Sequence, residues 1–191
     1  MSSFLLLKEH ELTSEARSVL AGADKAFPII PMFYRLLAAA PTLLQAYWHS
    51  YQHVLEIGSL PLQLKELIFL AVARKSRCHY CTSVHLAVCD IFEVDRSTLD
   101  AVITEASDIE PPRVAGLIKF CLEAMDDPDT ISQQQYQHLY DHGINQQEIL
   151  EALYTVAYSN SGIFLAKVLK VEIEPEINSY LHDHQLSIGF S

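Results

Sequence analysis

Residues 76–89, SRCHYCTSVHLAVC, place three cysteines and two histidines in a stretch whose other members are mostly small or apolar. Cys78 and Cys81 are three positions apart, and His85 follows four further on. On a helix of 3.6 residues per turn these three side chains fall within roughly 60° of one another around the axis. A thiol in the first turn meets unpaired backbone N–H groups and the positive end of the helix dipole, and both favour thiolate over thiol. An imidazole one turn on can take the thiol proton or stabilise the thiolate. Two thiols at this spacing can also close a disulfide. The set therefore holds a sulfur nucleophile, a resolving partner and a proton handler, enough to reduce an oxidised substrate through a sulfenic acid that the second thiol attacks.

Two blander readings of the same residues stay open. C-x-x-C with a histidine behind it could hold zinc, but the fourth ligand would have to come from elsewhere, and the chain has no second C-x-x-C or C-x-x-H. The pair could equally be inert core cysteines, since free Cys behaves as a small hydrophobe. Glu66 adds to the chemical reading, because Leu62, Phe69, Leu70 and Ala73 share its helical face. A carboxyl among such neighbours has its charged form disfavoured, which moves its pKa toward the range useful for general acid or base work. The alternative is that Glu66, so soon after Pro61, points to water.

The elements that must position these groups read as helices. Val, Ile and Thr do not cluster in alternating runs, whereas apolar residues recur at three- and four-residue intervals, so the chain is all-α with about nine helices. Pro41 and Gly58 bracket one helix over PTLLQAYWHSYQHVLEI. Pro61 opens LQLKELIFLAVARK, apolar on nearly all sides from Leu67 to Ala73 and therefore central. A helix beginning near Cys78 follows, with apolar positions at 84, 88, 91 and 92. Asp95 caps STLDAVITEA, Pro111 and Pro112 open RVAGLIKFCLEAM, and Asn145 with Glu148 forms a capping box for QQEILEALYTVAYSNSGIFLAKVL. DDPDTISQQQ is the one linker-like stretch, leading to a short helix stopped at Gly143.

Composition narrows the setting. The 191 residues are half hydrophobic, and 24 acidic against 13 basic side chains give a formal charge of −11. That charge repels phosphate backbones and anionic membrane surfaces, so neither nucleic acid nor membrane is expected as a partner. The longest apolar run, Leu67 to Ala73, is far short of the roughly 20 residues that cross a bilayer. MSSFLLLKEHEL has no basic segment before its short apolar patch, which does not match a signal peptide. These features lead to the expectation of a cytoplasmic protein whose four cysteines are not a disulfide scaffold.

Other tempting residues read as structural. His49 and His53 lie one turn apart beside Trp48 and Tyr51, a pattern more typical of a core or interface face than of a metal site. His138 and His142 sit near a helix end and suit a solvated face. Cys89 and Cys121 read as core thiols.

Glu66, Cys78, Cys81 and His85, in the string ELIFLAVARKSRCHYCTSVH, resemble the signature of the alkylhydroperoxidase D-like group of the carboxymuconolactone decarboxylase family. The resemblance extends upstream to Leu60–Pro61 and downstream to EALYTVAYSNSGIFLAKVLKVEIEPEI, similar to the closing helix of peroxidase-related members. It implies one all-helical domain over 1–191, with an extension over about 1–40 and a family core over about 41–175. It also implies homo-oligomers, as trimers or as hexamers built from dimers. The implied activity is thiol-dependent reduction of hydroperoxides without haem, metal or other cofactor, with a lipoyl-bearing or thioredoxin-like protein as reductant. By the same resemblance Glu66 and His85 form a proton relay, and Cys78 with Cys81 cycles between dithiol and disulfide. Cys81 is favoured as the attacking sulfur because it lies one turn before His85, with Cys78 resolving; the reverse stays open because position 78 gains more from the helix terminus. The chain departs from some relatives at Tyr80, where they carry a histidine, and at Ile163 or Phe164, where peroxidase-related members often carry a basic residue.

Three function classes follow: a thiol peroxidase or related disulfide reductase, a lyase acting on a cyclic lactone as elsewhere in that family, and a redox sensor or interaction protein without turnover. The lyase needs a general acid or base and an anion-binding group but no paired thiols.

Overall fold

The computed structural model describes residues 5–105 and 109–190. Among them the chain forms ten α-helices and no strand: α1 (Ser14–Ala26), α2 (Met32–Leu37), α3 (Pro41–Ser50), α4 (Leu62–Lys75), α5 (His79–Ile91), α6 (Arg96–Thr104), α7 (Pro112–Asp126), α8 (Gln133–Asp141), α9 (Gln146–Leu169) and α10 (Pro175–Asp183). Most boundaries fall where the side chains dictate. Pro41 occupies the first turn of α3, where its missing N–H costs nothing. The Asp95 carboxylate accepts the Ser97 and Thr98 N–H groups to start α6, and Asn145 with Glu148 closes a capping box on α9.

Three expectations are corrected. Ten helices stand where about nine were expected; α2 has six residues, too few for periodicity to reveal. The helix read over 41–57 leaves α-geometry at Tyr51 and makes one wider turn through Leu55 before Gly58, whose φ of 134° ends it. The linker-like DDPDTISQQQ becomes helical at Gln133, because Ser132 and Gln135 form a capping box. The end expected for α6, Ala106, lies outside the described residues.

α4 is the axis of the fold. Every residue from Leu64 to Ala73 is buried, and the helix packs chiefly against α5 and α9. Each buried Leu, Ile or Phe in such a position contributes about 1.5–3 kcal/mol by leaving water. Two charged side chains share that burial. Lys65 is fully enclosed; its Nζ donates to the Ile57 carbonyl at 2.7 Å and pairs with Glu151 of α9 at 3.1 Å. Burial alone would raise the Glu151 pKa, but the Ser59 and Leu60 N–H groups, Gln147 and Lys65 all donate to it and hold it at about 2. The pair ties the loop before α4 to the start of α9. Gly58 leaves room for it, since a Cβ there would stand 2.7 Å from Lys65 Nζ.

Because removing one partner strands a buried charge, Glu151→Gln is expected to cost about 3 kcal/mol, lowering Tm by roughly 6–12 °C in a thermal melt at pH 7. The Glu151 pKa is depressed in the fold, so its contribution is present above the unfolded carboxyl pKa of about 4.3 and is lost as pH falls toward 2. The stability difference between the two proteins should shrink over that interval.

Candidate active site

α4 ends and α5 begins within a three-residue link, Ser76 to Cys78, and this link places the sulfurs. Ser76 is the last residue of helical conformation, Arg77 turns left-handed with φ 51°, and the Cys78 N–H returns to the Ala73 carbonyl at 3.0 Å. This 6→1 closure is usually made with glycine; an arginine in the left-handed region costs about 1–2 kcal/mol. Cys78 is thereby set as the N-cap of α5, where its Sγ accepts the Cys81 N–H at 3.4 Å. Cys81 sits in the first turn.

Both cysteines are buried free thiols, with their sulfurs 2.9 Å apart, close enough to hold one proton between them. The Cys78 thiol is pulled down to about 7. The hydrogen bond from Cys81 is the main cause; burial opposes it, and the Cys81 and Tyr80 N–H groups and the Lys167 charge assist. The same shared proton, followed by burial, drives Cys81 upward. One sulfur of the pair is thus anionic near neutrality. The charge rests on Cys78 at the helix tip, while Cys81 is the one that faces the adjoining cavity.

That cavity, partly open to solvent, holds about 250 Å³ between α3 and the turn after it, α4, α5, α9, α10 and the segment 27–34. Glu66, Cys81 and His85 open onto it, and much of the wall is aromatic, including Phe27, Phe33, Tyr34, Tyr47, Tyr51, Phe69, Tyr80 and Tyr158. Among the described residues no lysine or arginine lines it. Burial lifts Tyr34, Tyr47, Tyr51 and Tyr158 above their ordinary range, so they present neutral phenols. Gly162 on α9 leaves room for the Tyr47 hydroxyl, which a Cβ there would displace.

Glu66 points inward. It is 2% exposed, and its Oε2 lies 2.6 Å from His85 Nδ1 across the α4–α5 interface. The imidazole stacks on Phe69, with ring centroids 3.5 Å apart. A carboxylate on Nδ1 fixes the tautomer and leaves Nε2 as the nitrogen able to exchange protons in the cavity. The structure therefore brings together Cys78, Cys81, His85 and Glu66.

Besides lining the cavity, Tyr80 is anchored by its hydroxyl. Its hydroxyl accepts the Phe33 N–H at 3.2 Å and donates to Glu174 Oε1 at 3.1 Å. Glu174, nearly buried, also accepts the Met32 N–H. Tyr80 thus fastens α5 to α2 and to the start of α10, a network the sequence did not announce because its members are 47 and 94 residues away from it. His49, His53 and His138 are exposed and none of them lines the cavity, while Cys89 and Cys121 are core thiols. Among the described residues no three His, Cys, Asp or Glu side chains gather as a metal site.

Residues 41–111 match the model of the carboxymuconolactone decarboxylase family. Among solved structures the chain is similar to an alkylhydroperoxidase AhpD core, an uncharacterized peroxidase-related protein from Ralstonia eutropha JMP134. The TM-score is 0.86 at 19% identity, covering 94% of this chain and 95% of that one. An uncharacterized peroxidase-related protein from Silicibacter sp. TM1040 superposes at TM-score 0.78 and 16% identity, covering 92% of both chains. A variant of the debrominase Bmp8 in complex with 2,3,4-tribromopyrrole superposes at TM-score 0.78 and 15% identity, covering 96% of this chain and 97% of that one. No curated protein matches the chain. At these identities the structural likeness establishes the fold.

Titration of thiolate absorbance at 240 nm is expected to show one thiolate per chain appearing with a midpoint near pH 7 and no second one until strongly alkaline pH. Cys78→Ser should abolish the neutral step. A single midpoint near the ordinary thiol value of about 8.5 would show that the helix tip and the shared proton do not stabilise the anion.

Proposed function

We propose that this chain, whose residues 41–111 match the model of the carboxymuconolactone decarboxylase family and whose fold is similar to that of the AhpD core, is a thiol-dependent hydroperoxide reductase. The observation that carries this reading is the pair of sulfurs 2.9 Å apart at a helix tip, one of them facing a cavity that also holds the Glu66–His85 pair.

Cys78 takes the Cys81 proton, which leaves a Cys81 thiolate facing the cavity. That thiolate attacks the outer oxygen of ROOH, and the O–O bond breaks. The departing RO⁻ takes a proton from His85, whose imidazolium is steadied by Glu66, and leaves as ROH. The Cys78 thiol then attacks the Cys81 sulfenic acid, releasing water and closing the disulfide. A second dithiol, lipoyl-bearing or thioredoxin-like, reopens it by exchange. The cavity exceeds the roughly 150 Å³ that holds a benzene, and its wall suits a small apolar or aromatic R group.

The aromatic lining favours a second reading, supported also by the likeness to a debrominase: reductive loss of halide from a small flat aromatic. There the two thiols supply two electrons and a proton to the ring carbon, halide leaves with the second proton, and the same disulfide results. Lyase chemistry on a carboxylated lactone has less support, since among the described residues no lysine or arginine lines the cavity to receive an anion.

With dithiothreitol as reductant the protein is expected to consume cumene hydroperoxide, and both Cys78→Ser and Cys81→Ser should lose turnover. Glu66→Gln, which keeps a neighbour for His85 but cannot stabilise its cation, should lower the rate by about 10²-fold. Unchanged turnover in both serine variants would overturn the reading. Bromide release from tribromopyrrole with no peroxide consumption would transfer it to dehalogenation.

A further inference from the structure

Gly162 lies past the middle of α9, a 24-residue helix in which alanine would be more stable, because glycine gives up more backbone entropy on joining a helix. It is buried, and one neighbour accounts for it. A Cβ at 162 would run into the Tyr47 hydroxyl, whereas its next neighbours, Tyr47 Cζ at 3.4 Å and Phe69 Cζ at 3.8 Å, stand at ordinary contact distance. With phenylalanine at 47, alanine would fit at 162. The glycine is thus reserved for a single oxygen. The ring that carries this oxygen is held from two sides, stacked on Tyr158 with centroids 4.6 Å apart and met edge-on by Phe33 at 5.0 Å.

That oxygen sits at the cavity, since Tyr47 and Gly162 both line it together with Cys81, Glu66 and His85. Other phenols of the wall serve the fold. Tyr80 gives its hydroxyl to Glu174, and Tyr158 gives its own to the Tyr47 backbone carbonyl at 3.4 Å. Burial keeps the Tyr47 phenol protonated, and the Cys81 and Glu66 charges lie near enough to add to that effect. A phenol that stays neutral around pH 7 is a standing hydrogen-bond donor.

We propose that the Tyr47 hydroxyl is a catalytic group: it donates a hydrogen bond to the inner oxygen of ROOH and holds the charge that gathers there as the O–O bond breaks. The inference rests on the hydroperoxide-reductase reading. His85 still supplies the proton that completes ROH, so the atoms and electrons of that reaction balance unchanged. The need is physical. RO⁻ is a strong base formed against a largely apolar wall, and a donor whose place is fixed by the fold requires no reorganisation at the moment of reaction. Tyr47 comes from α3 and His85 from α5, so two helices each bring one donor to the cavity that Cys81 faces.

The test uses the reduced full-length protein in stopped flow, following loss of thiolate absorbance at 240 nm with two oxidants. tert-Butyl hydroperoxide must release an alkoxide, whereas peracetic acid releases acetate, a stable anion that needs no donor. Tyr47→Phe is expected to lower the maximal rate with tert-butyl hydroperoxide by about 10²-fold, with little change in the half-saturating concentration. Its rate with peracetic acid and its thiolate step near pH 7 should match the wild type. Gly162→Ala should reproduce the loss by displacing the hydroxyl, yet cost nothing further when added to Tyr47→Phe, in which the hydroxyl is already gone. Equal slowing with both oxidants would make Tyr47 a packing residue and overturn the proposal, and a further drop in the double variant would overturn it too. An active wild type with an unaffected Tyr47→Phe variant overturns the donor alone. A wild type whose thiolate survives tert-butyl hydroperoxide overturns the reductase reading, and the donor falls with it.

Discussion

The Glu66 carboxylate lies in the middle of the most buried helix of the fold, and His85 Nδ1 meets it at 2.6 Å. A charge in that setting is tolerable only with a partner, and the partner has to come from the next helix. That requirement fixes how α4 and α5 lie against each other, because the contact joins positions 19 residues apart through two rigid rods and a three-residue link. It also orders the cavity. With Nδ1 engaged and one ring face on Phe69, the imidazole can turn only its other nitrogen to a reactant.

The link itself carries a second cost that makes sense only beside the first. An arginine in the left-handed region ends α4 so abruptly that Cys78 caps α5, where unpaired N–H groups converge on its sulfur. Acidity and access are then divided between the two thiols. The anion is stabilised at Cys78 on the helix tip, whereas Cys81 is exposed to the cavity, and a proton moving over 2.9 Å exchanges their states.

α9 binds the parts together. Its first turns hold the Glu151 end of the buried ion pair, its middle supplies Tyr158 and the Gly162 that lets Tyr47 close the cavity, and Lys167 donates to the Ser76 carbonyl at 2.9 Å beside the sulfurs. A helix with so many inward duties is still left with an apolar outer stripe. Ile163 and Phe164 illustrate the division: the first is buried and the second is 66% exposed, though they are neighbours in sequence.

Helix ends and spacing were legible because they are local. Asp95, Ser132 and Asn145 cap helices through N–H groups two or three residues away, and C-x-x-C-x-x-x-H aligns on one face by the pitch of the helix alone. The six-residue α2 and the early start of α8 escaped because so short or polar a stretch carries little periodic signal. By itself, then, the sequence determined an all-helical chain and a set of thiols and imidazole on one side of a helix tip. Only tertiary packing decided that Glu66 turns inward, that Cys81 rather than Cys78 meets the cavity, and that Tyr80 answers to Glu174. Those outcomes depend on which distant surfaces meet, and no pattern within a few residues encodes that.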